Sequence, residues 1–128
     1  MRCNLIYLDT HVVVWLYAGL INKFSATIQE LMNANDLYIS PIVRLELQYL
    51  YEINRITDDA NIIVADLAQR IGLQICEKAF DKVILQSLAL SWTRDPFDRL
   101  IVANAALNRD ILLSKDEAIL AHYTETRW

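Results

Sequence analysis

Short apolar runs alternate along the chain with longer stretches in which apolar residues recur at helical spacing. A short apolar run bounded by polar residues is typical of a buried strand. Four such runs predict strands, and the last residues of the chain predict an edge strand. The predicted strands are Asn4–Leu8, Leu37–Ile39, Leu73–Ile75, Ile111–Leu113 and an edge strand within Thr124–Trp128.

The stretches between these runs predict helices. Asp9 or Thr10, Ser25, Pro41 and Pro96 are suited to helix starts, and Gly19 and Gly72 to helix ends. The predicted helices are His11–Ala18, Ser25–Ala34, Pro41 to about Asn54, Asp58–Ile71, Phe80–Leu90, Pro96–Leu107 and Glu117–Ala121. Strands that alternate with helices are typical of βαβ units. We therefore expect one α/β domain over residues 1–128, with three α/β/α layers and a mainly parallel central sheet of about five short strands.

Length and composition indicate a single domain and exclude some classes of binding site. The chain has 128 residues, of which 55% are hydrophobic, so one domain can bury a core without disulfides. Its two glycines exclude a glycine-rich phosphate loop, which needs several close together. The net charge of −4 argues against a broad basic surface for nucleic acid.

Cysteine use and the N-terminal region indicate the compartment. Cys3 and Cys76 form no CxxC pair, so we expect two buried, reduced thiols rather than a disulfide or a metal site. No apolar segment approaches the length of a membrane helix. The apolar run Leu5–Leu8 stops at Asp9, too short for a signal peptide. We expect a soluble cytoplasmic protein.

Acidic residues follow the predicted strands. Asp9 ends the first strand, Asp116 comes just after the fourth, and Glu46 lies in the helix after the second. Asp95 and Asp98 flank the start of the helix at Pro96. In open α/β sheets, ligands bind beyond the carboxyl ends of the strands. These acids are therefore the candidate site.

Each acid has a structural alternative. Asp9, Asp98 and Asp116 could be helix caps, and Glu46 could lie on a solvated helix face. Carboxylates that converge on one sheet edge, however, cannot all ionise without compensation. A hard divalent cation such as Mg²⁺ or Mn²⁺ supplies it. No cluster of Cys and His suggests zinc, since His11 and His122 lie far apart in the sequence.

Four segments together resemble the four motifs of the PIN domain family, in particular its VapC-type toxins. The third motif is the most specific of them. A terminal tryptophan, here Trp128, also fits the family pattern. The segments are Leu8–Leu16 (LDTHVVVWL), Ser40–Glu46 (SPIVRLE), Arg94–Ala105 (RDPFDRLIVANA) and Leu112–Asp116 (LLSKD).

The resemblance implies a homodimeric fold with a mainly parallel sheet, and metal-dependent endonucleolytic cleavage of RNA. It also implies a cognate VapB-type antitoxin that covers the site. One or two Mg²⁺ or Mn²⁺ ions would be held by four residues, with four others in supporting roles. The implied metal ligands are Asp9, Glu46, Asp98 and Asp116; the supporting residues are the accessory acid Asp95, the polar Thr10 and Ser114, and Ser40 at a local turn.

Two positions depart from the family pattern. Val43 stands where many relatives have a second serine, and Thr93 where many have a histidine. Neither is one of the four acids, so the departures concern substrate handling more than metal binding. A non-catalytic PIN-like module that binds RNA or protein is the alternative function, and the intact set of four acids argues against it.

Basic residues near the proposed ligands could bind the RNA backbone. Arg44, Arg94, Arg99 and Lys115 all lie within a few residues of an acid of the site. Ion pairs with those acids or with surface acids are the equal alternative. Aromatic residues could stack on bases, although packing in the core or an interface is the stronger expectation for them. These aromatic residues are Trp15, Tyr49, Tyr51 and Trp92.

Overall fold

A computed structural model describes residues 4–128. The strands are β1 (Leu5–Leu8), β2 (Asp36–Ile39), β3 (Gln74–Ile75), β4 (Ile111–Leu113) and β5 (Thr126–Arg127). The helices are α1 (Thr10–Tyr17), α2 (Ala26–Ala34), α3 (Pro41–Glu52), α4 (Ala60–Ile71), α5 (Phe80–Ser87), α6 (Pro96–Ala106) and α7 (Glu117–His122), with a short 3₁₀ turn at Ile21–Lys23.

The strands form one sheet in the order β3-β2-β1-β4-β5, and every pairing is parallel. The central strand β1 places Tyr7 beside Tyr38 of β2 and Leu112 of β4. Successive side chains of β1 point to opposite faces, and Ile6 and Tyr7 are both buried. A strand buried on both faces needs helices on both sides of the sheet. The predicted three-layer α/β fold is therefore confirmed.

Most predicted boundaries of the helices and strands agree with the structure, and two differ, at the start of α4 and at the end of α5. Helix α4 begins after Asp59, whose carboxylate accepts from Ile62 N, and not at Asp58, whose carboxylate accepts from the Tyr17 hydroxyl. Helix α5 ends at Ser87 rather than at Leu90. Gly72 ends α4 with φ 70°, as predicted, because this left-handed conformation strains any residue with a Cβ.

Cys76 is buried, as the sequence predicts. Its Sγ accepts hydrogen bonds from the Tyr7 hydroxyl at 3.1 Å and from Lys78 N at 3.3 Å. Cys3 lies outside the described residues. Within residues 4–128, the structure shows no helix with the length and apolar character needed to span a bilayer.

Leu8 tests how strongly the sheet core supports the fold. It is fully buried at the end of β1, whereas Leu85 on α5 is 59% exposed. We expect Leu8→Ala to lower the free energy of unfolding by about 2–5 kcal/mol, because it leaves a cavity between the layers. The same change at Leu85 is expected to cost less than about 1 kcal/mol. Urea unfolding followed by circular dichroism measures both, and equal losses would contradict the assignment of the core.

Candidate functional site

The four acids predicted as metal ligands line one pocket of about 310 Å³. They are Asp9, Glu46, Asp98 and Asp116. The pocket lies at the carboxyl ends of β1 and β4, because Asp9 directly follows β1 and Asp116 comes shortly after β4. The parallel sheet thus brings together acids that are distant in sequence, as the pattern of strand ends predicts.

Helix capping explains two of the four acids. Asp9 is the N-cap of α1, since its Oδ1 accepts from Thr10 N at 2.8 Å. Asp116 caps α7 by accepting from Ile119 N at 3.0 Å. At α6, Asp95 is the cap and accepts from the backbone N–H groups of Phe97 and Asp98.

The carboxylate of Asp98 is therefore free of capping, and its side chain lines the pocket in the first turn of α6. The capping alternative holds for Asp9 and Asp116 but is wrong for Asp98. Being a cap does not remove either of the other two acids from the pocket.

Hydroxyl groups hold these carboxylates in place. Buried Ser114 donates its Oγ–H to Asp9 Oδ2 at 2.7 Å. Ser114 Oγ in turn accepts a hydrogen bond from Asp116 N at 3.0 Å. The Thr10 hydroxyl donates to Glu46 Oε1 across the cleft. The structure thus gives Thr10 and Ser114 contacts that suit a supporting role.

Ser40 acts at the neighbouring strand end. It directly follows β2 and is the N-cap of α3, where its Oγ accepts from Ile42 N at 3.3 Å. Pro41 then occupies the first turn, where a missing N–H costs nothing. Together they set the start of the helix that carries Glu46.

Burial and repulsion among like charges together set the electrostatics of the pocket. Burial, together with the negative charges of Asp9, Asp95, Asp116 and Glu46, raises the pKa of Asp98 to about 7. Burial also raises the pKa of Glu46, with further contributions from Asp9 and Asp95. Without a bound cation, the pocket therefore favours the protonated forms of these acids.

The donor set fits a hard divalent cation in its chemistry, since it offers only oxygen ligands and an excess of negative charge. The positions of the side chains, by contrast, do not form a metal site. Within residues 4–128, no three His, Cys, Asp or Glu side chains stand in an arrangement that could hold a metal ion. Several of the acid oxygens accept hydrogen bonds instead, namely both oxygens of Asp9 and one each of Glu46 and Asp116.

His11 belongs to the site, although its sequence position did not single it out as a functional residue. Its Nε2 accepts from Lys115 N at 2.9 Å, and its Nδ1 lies 3.6 Å from Asp9 Oδ2. Burial lowers the pKa of His11, which favours the neutral imidazole that this acceptor role requires. Its position could have indicated this role, because His11 directly follows Thr10 in the first turn of α1.

The predicted basic residues do not line the pocket formed by the described residues. The Arg99 guanidinium donates to the carbonyl oxygens of Ser87 and Leu88. These contacts satisfy backbone carbonyl groups at the end of α5. Within the described residues Arg99 therefore makes structural contacts and no ion pair, and its contact with RNA stays a prediction.

The other three predicted bases, Arg44, Arg94 and Lys115, have exposed side chains. In the described part of the chain, none of them lies within 4 Å of a carboxylate oxygen. The basic residue that does line the pocket is Arg55, in the loop after α3. Sequence reasoning missed it because it lies nine residues beyond the nearest acid of the site.

Three of the four aromatic candidates pack against other rings, as expected for packing residues. Trp15 contacts Phe24 and Trp128, and also His11 at a centroid distance of 4.9 Å. Tyr49 packs on Phe97 at 5.7 Å. Trp92 lies parallel to the ring of His122 at 4.7 Å. The fourth, Tyr51, is exposed on α3.

The structure is thus a parallel α/β domain with a cluster of carboxylates beyond the ends of its central strands. The family model of the PIN domain matches residues 6–125. The chain therefore belongs to the PIN domain family, and the resemblance of its four sequence motifs to that family is confirmed.

Solved structures share the fold over nearly the whole chain. VapBC2 from Rickettsia felis, bound to a promoter DNA fragment, matches with a TM-score of 0.69 and 18% identity over 95% of each chain. A toxin–antitoxin complex from Klebsiella pneumoniae matches at 0.66 with 16% identity over 96% of each chain. DNA-bound VapBC from Salmonella typhimurium matches at 0.65 with 19% identity, over 98% of this chain and 96% of that one. No curated protein sequence matches the chain.

The raised pKa of Asp98 predicts a pH-dependent stability for the metal-free protein. Between its ordinary value of 3.8 and about 7, folded Asp98 keeps a proton that the unfolded chain releases. Its contribution to stability is therefore complete below pH 4 and is lost as the pH rises to about 7. We expect Asp98→Asn to be more stable than the wild type by about 2 kcal/mol at pH 8, and nearly equal to it at pH 4.

Urea unfolding in EDTA, followed by tryptophan fluorescence, measures this difference. Asp81→Asn is the matched control, because Asp81 is an exposed acid in the first turn of α5. Its stability should follow that of the wild type at both pH values. An Asp98→Asn variant no more stable than the wild type at pH 8 would show that the pocket does not destabilise this carboxylate.

Proposed function

We propose that this protein is a metal-dependent endoribonuclease and the toxin of a VapBC-type toxin–antitoxin pair. The observation that carries the proposal is the convergence of Asp9, Glu46, Asp98 and Asp116 on one pocket. Each of these acids comes from a different segment that resembles a PIN motif. Membership of the PIN domain family and the shared fold with VapBC proteins support the same function.

The four acids would hold one or two Mg²⁺ or Mn²⁺ ions. When bound, such a cation supplies Lewis acidity, which acidifies water and stabilises negative charge on a phosphodiester. The raised pKa values of Asp98 and Glu46 support this assignment, because the charge of a divalent cation would offset both the burial and the repulsion that raise them.

The protein's own contribution is to hold the acids in place. Ser114 fixes Asp9 from the end of β4, and the Thr10 hydroxyl fixes Glu46 from the start of α1. His11 accepts from Lys115 N and so tethers the loop that leads to Asp116. These contacts keep the acids around one pocket, and binding a metal would require the carboxylate oxygens to reorient towards the ion.

Hydrolysis would proceed by in-line attack of water on the scissile phosphorus. The water oxygen forms the new bond to phosphorus, and the bond from phosphorus to the 3′ oxygen breaks. A proton passes to the departing 3′ oxygen. The expected products carry a 5′-phosphate and a 3′-hydroxyl, which distinguishes this reaction from attack by the ribose 2′-hydroxyl.

Asp9→Asn and Asp98→Asn test the catalytic proposal. Each removes one negative charge from the pocket and nearly preserves side-chain shape, so we expect at least a ~100-fold loss of RNA cleavage with the fold intact. EDTA should stop the wild-type reaction, and added Mg²⁺ or Mn²⁺ should restore it. A cleavage assay on total RNA, with end-group analysis of the products, measures both effects.

The exposed Asp81→Asn variant serves as the control here too and should cleave at the wild-type rate. Full activity of either pocket variant would contradict the proposed metal site. A wild-type protein that folds and binds RNA or protein, but cleaves nothing in any divalent metal, would instead support the alternative of a non-catalytic PIN-like binding module.

A VapB-type antitoxin is the proposed protein partner. The Rickettsia felis and Salmonella typhimurium structures are described as VapBC, and the Klebsiella pneumoniae structure as a toxin–antitoxin complex. The acidic pocket adjoins apolar Val14, Leu50 and Ile56, so a peptide with both basic and apolar side chains suits it. An antitoxin segment of that chemistry would block the access of RNA to the acids.

A homodimer is the proposed assembly. Leu45 on α3 and Phe80 on α5 are 56% and 69% exposed, and both border an apolar pocket of about 280 Å³. Leu88, just after α5, is 64% exposed. Large apolar side chains that cluster on a surface are typical of a protein interface.

Phe80→Asp tests this interface. An aspartate in the first turn of α5 suits a helix start, so the fold should persist while the apolar patch gains a charge. We expect a dimer for the wild type and a monomer for the variant in size-exclusion chromatography with light scattering. Ile62→Asp is the matched control, because Ile62 is exposed in the first turn of α4, and it should stay dimeric. A dimeric Phe80→Asp variant would place the interface elsewhere.

A further inference from the structure

The loop after α3 carries a basic residue to the acidic pocket by a defined turn. Asn54 has φ 62°, and its N–H donates to the carbonyl of Tyr51 at 3.1 Å. The next N–H, that of Arg55, donates to the carbonyl of Leu50 at 2.8 Å. This pair of bonds is the Schellman motif, which ends a helix and reverses the chain direction. The backbone of Arg55 is therefore held in place by the end of α3.

The turn places Arg55 between two cavities. Arg55 and Ile56 line the acidic pocket, and they also line a neighbouring pocket of about 350 Å³ that includes Tyr17 and Asp58. Arg55 thus stands on the border of a longer cleft that leads away from the acids. A chain-like ligand with its reacting group at the acids would pass this side chain.

The Arg55 guanidinium forms no ion pair with the described residues, although it lines the same pocket as four acids. Within residues 4–128, it lies within 4 Å of no carboxylate oxygen and takes part in no hydrogen bond. Its side chain is exposed. By contrast, Arg70 is paired with Asp66 at 2.6 Å, and Arg99 donates to backbone carbonyls. In the described pocket lining, Arg55 is the one arginine or lysine, and it is free to take an anionic ligand.

We propose that Arg55 binds a backbone phosphate of the RNA beside the scissile bond. This inference rests on the proposed ribonuclease function and adds a substrate-binding residue to it. A guanidinium presents a planar fork of N–H donors that matches two phosphate oxygens. A cation at the rim would also offset the repulsion between the acids and the phosphate backbone. Phosphate contacts carry no sequence information, so the contribution of Arg55 is the same for different RNA sequences.

Binding of short fluorescein-labelled single-stranded RNA, measured by fluorescence anisotropy in Mg²⁺, tests the proposal. The measurements use an Asp9→Asn background to prevent cleavage and two oligonucleotides of unrelated sequence. We expect Arg55→Gln to weaken binding of both by roughly tenfold, and to lower the slope of log K against log salt by about 0.7. Arg55→Lys should keep the slope, because it keeps the charge, and lose part of the affinity.

Arg109→Gln is the matched control. Arg109 is an exposed arginine just before β4, at the opposite end of that strand from the acids, and it does not line the pocket, so its loss should change neither affinity nor slope. Both variants should unfold at the temperature of the Asp9→Asn background, because within residues 4–128 neither side chain forms an ion pair or takes part in a side-chain hydrogen bond. In the otherwise wild-type chain, Arg55→Gln should raise KM for cleavage about tenfold with a small change in kcat.

The outcomes separate this inference from the function on which it rests. A wild type that cleaves RNA, with Arg55→Gln binding as tightly as the unchanged background, overturns the role of Arg55 alone. Equal losses at Arg55 and Arg109 also overturn it, because they indicate a diffuse charge effect. Weakened antitoxin binding with unchanged RNA binding assigns Arg55 to the protein partner instead. A wild type that neither binds nor cleaves RNA overturns both proposals.

Discussion

The hydrogen bond from Ser114 Oγ to Asp9 Oδ2 joins the ends of the two central strands, across 105 residues of sequence. It depends on the parallel pairing of β1 with β4, which places Leu8 beside Leu113 and so brings the next residues together. The same serine oxygen accepts from Asp116 N. One buried hydroxyl thus positions two of the four acids, and every proposed step at the pocket relies on that arrangement.

Burial and like-charge repulsion destabilise the ionised acids that this arrangement brings together. The pKa of Asp98 near 7 shows that the folded chain holds the carboxylate in surroundings that oppose its ionisation. Asp95 makes this possible, because it caps α6 and leaves Asp98 free. Asp95 and Asp98 therefore have different roles although they lie three residues apart. Asp95 caps the helix, and Asp98 lines the pocket. Sites that perform chemistry commonly carry such destabilised groups.

The sequence predicted the sheet and the acids because both depend on local patterns. Apolar runs define the strands, and an acid at the end of a parallel strand must lie at the ligand-binding edge. The same reasoning missed Arg55 in the pocket lining, since it selected basic residues by their sequence distance from the acids. Arg99 instead donates to carbonyls at the end of α5, and Arg55 reaches the pocket through a chain reversal after α3. Contacts of this kind depend on how helices pack against each other, which no periodicity encodes.

The two edges of the sheet have a consequence for how copies of this protein can associate. Strands β3 and β5 are each two residues long, so each edge offers very few free backbone N–H and C=O groups. Long exposed edges invite the addition of a strand from another chain and lead to aggregation. The short edge strands of this sheet offer almost no backbone groups with which a strand of another chain could pair. Association is therefore directed to side chains on the helices, where contacts are specific and assembly can stop at a closed oligomer.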